Sequence, residues 1–172
     1  MTMISQDFFG KQSPFLTAKG KQSGALILSE EHRRTLAFLL PLSSDYPNID
    51  RWFIEKVIFG ERLGTRHIVK FERDNRLAAI GIAKNEGGEK KICTVRVHPD
   101  YFGRGLGVKT FDSLLHWLQV DKPVLTVGEE KLRLFQRLFD HYGFTQTSVT
   151  PDLYRKGTSE LGYNEFGCSF RF

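Results

Sequence analysis

Val95-Arg96-Val97-His98-Pro99-Asp100-Tyr101-Phe102-Gly103-Arg104-Gly105-Leu106-Gly107-Val108-Lys109 opens as a strand and closes as a helix. Pro99 ends the ladder, having no N–H to donate. Beyond the glycines, Gly107, Phe111, Leu114, Leu115 and Leu118 recur at helical spacing within residues 104–119. Main-chain N–H groups at a helix start lack partners and carry partial positive charge, which phosphate oxygens can satisfy. Glycines permit the close approach, and Arg104 and Lys109 add full charges. On this stretch alone the turn is either an anion site or a helix start that merely packs tightly. It is not a P-loop, because Val108 and not glycine precedes Lys109. It is not a dinucleotide fingerprint either, since the third glycine would fall on Val108 or Thr110.

Before this stretch the pattern is antiparallel. Arg66–Phe71, Leu77–Ala83 and Lys91–Val97 read as three strands joined by short polar turns, 72–76 and 84–90. Upstream, Ala25–Leu28 can form a short strand. Ser29 then caps a helix whose first turn holds Glu30 and Glu31 and whose stripe is Leu36, Leu39 and Leu40. A second helix begins near Asn48, presents Ile49, Trp52, Phe53 and Val57, and is expected to stop at Gly60. Downstream, Pro123–Val127 reads as a strand. Residues 130–142 read as a helix with Leu132, Phe135, Leu138, Phe139 and Tyr142 inward, ended by Gly143. Phe144–Val149 is a further strand, and the last lies within Gly162–Phe172. A strand–helix–strand crossover after a meander should leave its two strands parallel. The predicted fold is mixed α/β (α+β), with about four helices and a central mixed sheet of about six to seven strands. Residues 1–24 form an irregular arm with room for one short strand, and its Phe8, Phe9 and Phe15 are expected to pack on the body formed by 25–172.

Composition narrows the classes. The 172 residues, 40% hydrophobic with 15 Phe, can bury a core, which excludes global disorder. The net charge of +5 is spread evenly, with 13 basic against 10 acidic residues in 1–86 and 12 against 10 in 87–172. Such a spread suits an anionic ligand better than nucleic acid. Two cysteines, Cys93 and Cys168, give no disulfide framework, and no cluster of His, Cys and acidic residues suggests a metal. Residues 1–11 lack a basic leader, and the longest apolar run, Leu36–Leu42, is too short to span a bilayer. A cytoplasmic protein without a membrane partner is expected.

The segment from Val95 to Leu115 resembles the cofactor-binding segment of the GCN5-related N-acetyltransferases (GNAT). The family pattern is Arg or Gln, two residues, Gly, one residue, then Gly or Ala. Here Phe102-Gly103-Arg104-Gly105-Leu106-Gly107 follows Val97-His98-Pro99. A second match is Leu138-Phe139-Asp140-His141-Tyr142-Gly143-Phe144, similar to the family helix that ends in Gly-Phe. The order of elements also agrees from about Ala25 onward. This resemblance implies acetyl-CoA, or another acyl-CoA, held between the strands near 92–97 and 123–127. The main chain of Val95 and Val97, flanking Arg96, would pair with the pantetheine arm, and the amides around Gly103–Val108 would hold the pyrophosphate. It implies direct attack of an amine on the thioester, the acceptor being a small-molecule or protein amine, with an aminoacyl-tRNA the one nucleic-acid possibility.

The chain departs from the family at Phe102 (usually Arg or Gln), Phe139 (a Tyr acid), Leu132 (an Asn) and Cys93 (a Glu base). Replacement acid/base groups are therefore sought among Glu129 and Glu130, at the expected rim of the opening, and Tyr142 and Tyr154. The plainer readings are a solvated helix start for the two glutamates and a core residue for Tyr142. His98 is expected to face solvent, and Cys93 to be a small buried residue and not a nucleophile. Trp52 and Phe53 either wall the acceptor pocket or fill the core. Two rival functions are a non-catalytic acyl-CoA-binding module and a toxin-like acetyltransferase of charged tRNA.

Overall fold

The computed structural model describes residues 28–165 together with the main chain of an N-terminal strand, β1 (Thr2–Ile4). The expectations for Phe8, Phe9, Phe15 and residues 25–27 lie outside the described residues. Ser29 opens α1 (Glu30–Leu39), its side chain accepting from the His32 N–H at 3.1 Å, with Glu30 and Glu31 in the first turn. α2 (Ile49–Trp52), a π-helical turn (Phe53–Ile58) and α3 (Phe59–Arg62) then run on as one rod. Its inward face is Ile49, Trp52, Phe53 and Val57. Gly60 does not stop this rod, contrary to the expectation from sequence. It lies inside α3, and the chain leaves at Gly64, where φ is 72°. Gly60 is small for a different reason: a Cβ there would stand 2.7 Å from Arg66 Cγ.

The meander is β2 (Arg66–Arg73), β3 (Arg76–Glu86) and β4 (Glu89–Val97), all antiparallel. Next come α4 (Leu106–Leu118), β5 (Leu125–Gly128), α5 (Leu132–Tyr142), β6 (Gln146–Pro151) and β7 (Ser159–Tyr163). The last described strand begins earlier than the sequence suggested, at Ser159, which puts Glu160 inside it. Among the described residues no helix is long and apolar enough to cross a membrane.

The single central sheet is also corrected. Among the described residues there are two sheets, of order β1-β4-β3-β2 and β5-β7-β6. One parallel bridge, Lys91 with Val124, joins them, through Ile92 N–H to Val124 O and Val124 N–H to Lys90 O, both at 2.9 Å. The reason is local. The β3–β4 register passes from Ile82 opposite Thr94 to Ala83 opposite Ile92, leaving Cys93 as an extra residue. Such a bulge bends its strand and sharpens the twist, and among the described residues no ladder connects β4 to β5 beyond Cys93. β1 lies there, antiparallel to β4 with Thr2 opposite Arg96, Met3 opposite Val95 and Ile4 opposite Thr94, and also against β5.

Two cores flank the sheets. On one side α4 and α5 bury Phe111, Leu114, Leu118, Phe135 and Phe139 against Ile92, Val95, Leu125, Val127 and Leu161. On the other, α1 to α3 pack on Ile68, Ile80, Ile82 and Cys93. Each fully buried aliphatic or Phe side chain contributes about 1.5–3 kcal/mol over an exposed one.

Candidate active site

The glycine turn stands open. Gly103 and Gly105 have φ of 73° and 74°, a left-handed conformation that glycine adopts without steric cost. A Cβ at either would meet no described heavy atom within 4 Å. A pocket of about 210 Å³ lies between the end of β4 (Val97), the turn (Gly103, Gly105, Gly107) and Leu134 of α5. Gly105 caps α4, and the Lys109 N–H bonds back to Gly105 O at 3.1 Å, so the amides of 106–108 precede the helical ladder. Arg104 lies over the Tyr101 ring, 5.4 Å from its centroid. Phe102 is 47% exposed and Val108 is exposed, whereas Leu106 is buried. His98 does not face solvent as expected. It is half-buried beside Phe38 and Tyr101, and its Nδ1 accepts from the Asp100 N–H at 3.3 Å.

At the divergence of β4 from β5, main-chain direction follows from one bond. The His98 N–H donates to Ala78 O at 2.8 Å, toward β3. Antiparallel alternation then turns the N–H and C=O of Val97 and Val95 the other way, toward the opening. Val95 meets Met3 there.

A third feature is polar. Leu125, Val127, Leu161 and Tyr163 point toward α4 and α5, so Thr126 and Glu160 point to the opposite face of the sheets. Thr94 and Arg96 of β4, which alternate with Val95 and Val97, share that face. Among the described residues, Thr94 Oγ1, Arg96 Nε and Nη1, Thr126 Oγ1, Glu160 Oε2 and Trp52 Nε1 are buried without a hydrogen-bond partner. Protein interiors seldom leave such groups unpaired. Glu160, 6% exposed, has its pKa pushed up to about 7 by burial. The nearby Thr126 hydroxyl and Lys131 temper the rise, while Glu130 and Asp45 add to it. Desolvation also lowers the Arg96 pKa, and its guanidinium lies 5.0 Å from the centroid of the Phe38 ring.

No profile of a known protein family matches the chain, and no curated protein matches it by sequence. Solved structures do match. A protein from Desulfovibrio desulfuricans assigned to the GNAT acetyltransferases superposes with a TM-score of 0.63 at 15% identity, over 80% of this chain and 92% of that one. The ribosomal-protein-alanine N-acetyltransferase of Brucella melitensis gives 0.60 at 14%, over 77% and 92%. An aminoglycoside 6′-N-acetyltransferase complexed with coenzyme A gives 0.57 at 11%, over 77% and 88%. The chain has the GNAT acetyltransferase fold.

Within the GNAT fold the sequence-derived candidates are scattered. Glu129 and Glu130 lie on an exposed 3-10 turn after β5, and Glu130 is bound by Arg155 Nη2 at 2.8 Å. The Tyr142 hydroxyl is 2.7 Å from Asp112 Oδ1 and 3.3 Å from Val108 O, bracing α5 to α4. Burial and Asp112 hold its pKa well above the usual phenol value. Tyr154 lies on the α1–α3 side with its ring 5.4 Å from that of Tyr46. Cys93 is fully buried at the bulge with Arg66 Nη1 3.6 Å from its Sγ, and Phe139 is fully buried in the α4/α5 core. Trp52 and Phe53 belong to the core under α1 to α3. Glu160 was missed because the final strand was placed from Gly162 onward. The alternation of Glu160, Leu161, Gly162 and Tyr163 carried the signal: a carboxylate on the face opposite two large apolar residues.

Proposed function

We propose that the chain is an acetyl-CoA-dependent N-acetyltransferase of the GNAT superfamily, passing the acetyl group directly to a primary amine. The observation that carries this reading is the conjunction of two features of β4. It leaves β5 at the Cys93 bulge, and it ends in an open glycine turn at the head of α4. In this reading the amides of Gly103 to Val108 hold the pyrophosphate, with Arg104 and Lys109 balancing its charge. The main chain of Val95 and Val97 bonds the pantetheine arm as a strand would. The exposed Phe102 does not hinder this, because the phosphate contacts come from main chain.

Glu160 is the general base we favour, in place of Glu129 and Glu130. It is enclosed, has one oxygen without a partner among the described residues, and has a pKa pushed up to about 7, where a base both accepts and holds a proton efficiently. The amine nitrogen bonds to the thioester carbonyl carbon, the carbon–sulfur bond breaks, and the ammonium proton passes to Glu160. The thiolate takes a proton on leaving, and Tyr154 is the sequence-derived phenol on Glu160's side of the sheets. Structural neighbours whose names specify an aminoglycoside or a ribosomal-protein alanine are consistent with a small-molecule or protein amine as acceptor.

Two measurements test the reading. Calorimetric titration should show acetyl-CoA binding that Gly107→Glu weakens at least tenfold, through bulk and repulsion of the pyrophosphate, with the melting temperature retained. Thiol release across an amine panel should exceed background with at least one acceptor. Undiminished affinity in Gly107→Glu would place the phosphate elsewhere.

A further inference from the structure

β1 occupies the part of the opening that the proposed function assigns to the pantetheine arm. It runs antiparallel to β4 at residues 94–96 and lies against β5 on its other side. Because the His98 N–H points to β3, Val95 is the residue in this span whose N–H and C=O point into the opening. Its partner in register is Met3. A main-chain N–H and C=O pair can bond one extended chain at a time. A bound pantetheine and β1 therefore exclude one another at Val95.

We propose that β1 is a built-in competitor of acyl-CoA: the N-terminal strand closes the opening in the free protein and must leave before the thioester can enter. The inference rests on the acyl-CoA reading above and adds a regulatory step to it. The strand suits such a role because it is only three residues long. Thr2 and Ile4 stand opposite Arg96 and Thr94, whose main-chain groups are directed to β3, so attachment to β4 centres on Met3 alone. The apparent affinity for acyl-CoA is then the intrinsic affinity scaled by the fraction of molecules in which β1 is released. By reciprocity, anything that captures the freed N-terminus tightens acyl-CoA binding, and acyl-CoA exposes that terminus to capture.

The test compares acetyl-CoA titrations of the full chain, of Met3→Pro, and of a variant lacking residues 2–4. Proline at position 3 removes the N–H that bonds β4 and leaves β4, the glycine turn and Glu160 untouched. Both variants should bind acetyl-CoA on the order of tenfold more tightly than the full chain, the ratio expected if β1 is released about a tenth of the time. Should proline disturb folding, the deletion serves alone. Hydrogen exchange gives a second readout: acetyl-CoA should speed exchange at the Met3 amide while the Val95 amide stays protected. Equal or weaker binding by both folded variants would overturn the competition and leave the acyl-CoA reading intact. No binding by any of the folded proteins would overturn both.

Discussion

A carboxyl group as enclosed as Glu160 prefers to be neutral, and that preference has two readable consequences. The first follows from its proposed role as the general base. A base that titrates at about 7 should give kcat/KM an acid limb that rises through that pH. Glu160→Gln should abolish the limb and lower kcat by about 10²–10⁴; a retained limb would assign the base elsewhere. The second concerns stability. The folded pKa is raised above the ordinary value of 4.5, so the folded form is favoured below that pH and loses its advantage as pH rises through about 7. Ionising the buried group costs roughly 3 kcal/mol in full. Glu160→Gln should therefore melt higher than the parent at pH 8 and nearly the same at pH 4, as followed by circular dichroism. Cys93 shows the opposite case, a residue whose importance lies in its place in the register and not in its thiol.

At the scale of elements, the helix that carries the glycine turn is seated by a close approach to the sheet. A Cβ at Gly81 of β3 would stand 2.5 Å from Thr110 Cγ2 and 2.8 Å from Leu114 Cδ1 of α4. Thr110 is held in turn by its hydroxyl, which donates to Leu106 O at 2.7 Å, and a β-branched side chain in a helix has little freedom to move. Gly81→Ala should lose about 1–3 kcal/mol in urea unfolding, with weaker acetyl-CoA binding as the head of α4 shifts. Unchanged stability would mean that the helix rides on the sheet more loosely than this spacing implies. α4, α5 and the meander were legible beforehand because their apolar residues repeat at 3.6 or 2 positions. The π-helical turn at 53–58 and the true end of its rod were not. Hydrophobic spacing there fits an ordinary helix, and only the packing of Arg66 on Gly60 shows why that glycine is present.

Across the whole molecule, three connections are held together at the face that bears Glu160. Asp45, between α1 and α2, binds Lys131 Nζ at 2.7 Å and Arg155 Nη1 at 3.2 Å. Arg155, between β6 and β7, also holds Glu130 beyond β5. The Lys131 cation lies 4.8 Å from the centroid of the Tyr46 ring. These side chains are partly exposed, so the network is worth about 1 kcal/mol. Asp45→Ala should lower the melting temperature by about 2–4 °C, less in 1 M salt, where screening weakens the parent too. It should also raise KM for the amine more than for acetyl-CoA. A loss independent of salt would point to packing instead of charge.

The sequence by itself determined the meander, α4, α5 and the glycine turn after β4, because these depend on neighbours a few residues apart. It also showed the departure at Phe139. Tertiary structure decided the rest: that the strands split into two sheets at the Cys93 bulge, that β1 lies along β4, and that Glu160 is enclosed with Thr126 beside it. Burial, and with it the pKa of a carboxyl group, depends on atoms brought from distant parts of the chain. The residues that surround Glu160 come from β5, its following turn and the α1–α2 connection, a juxtaposition no local pattern encodes.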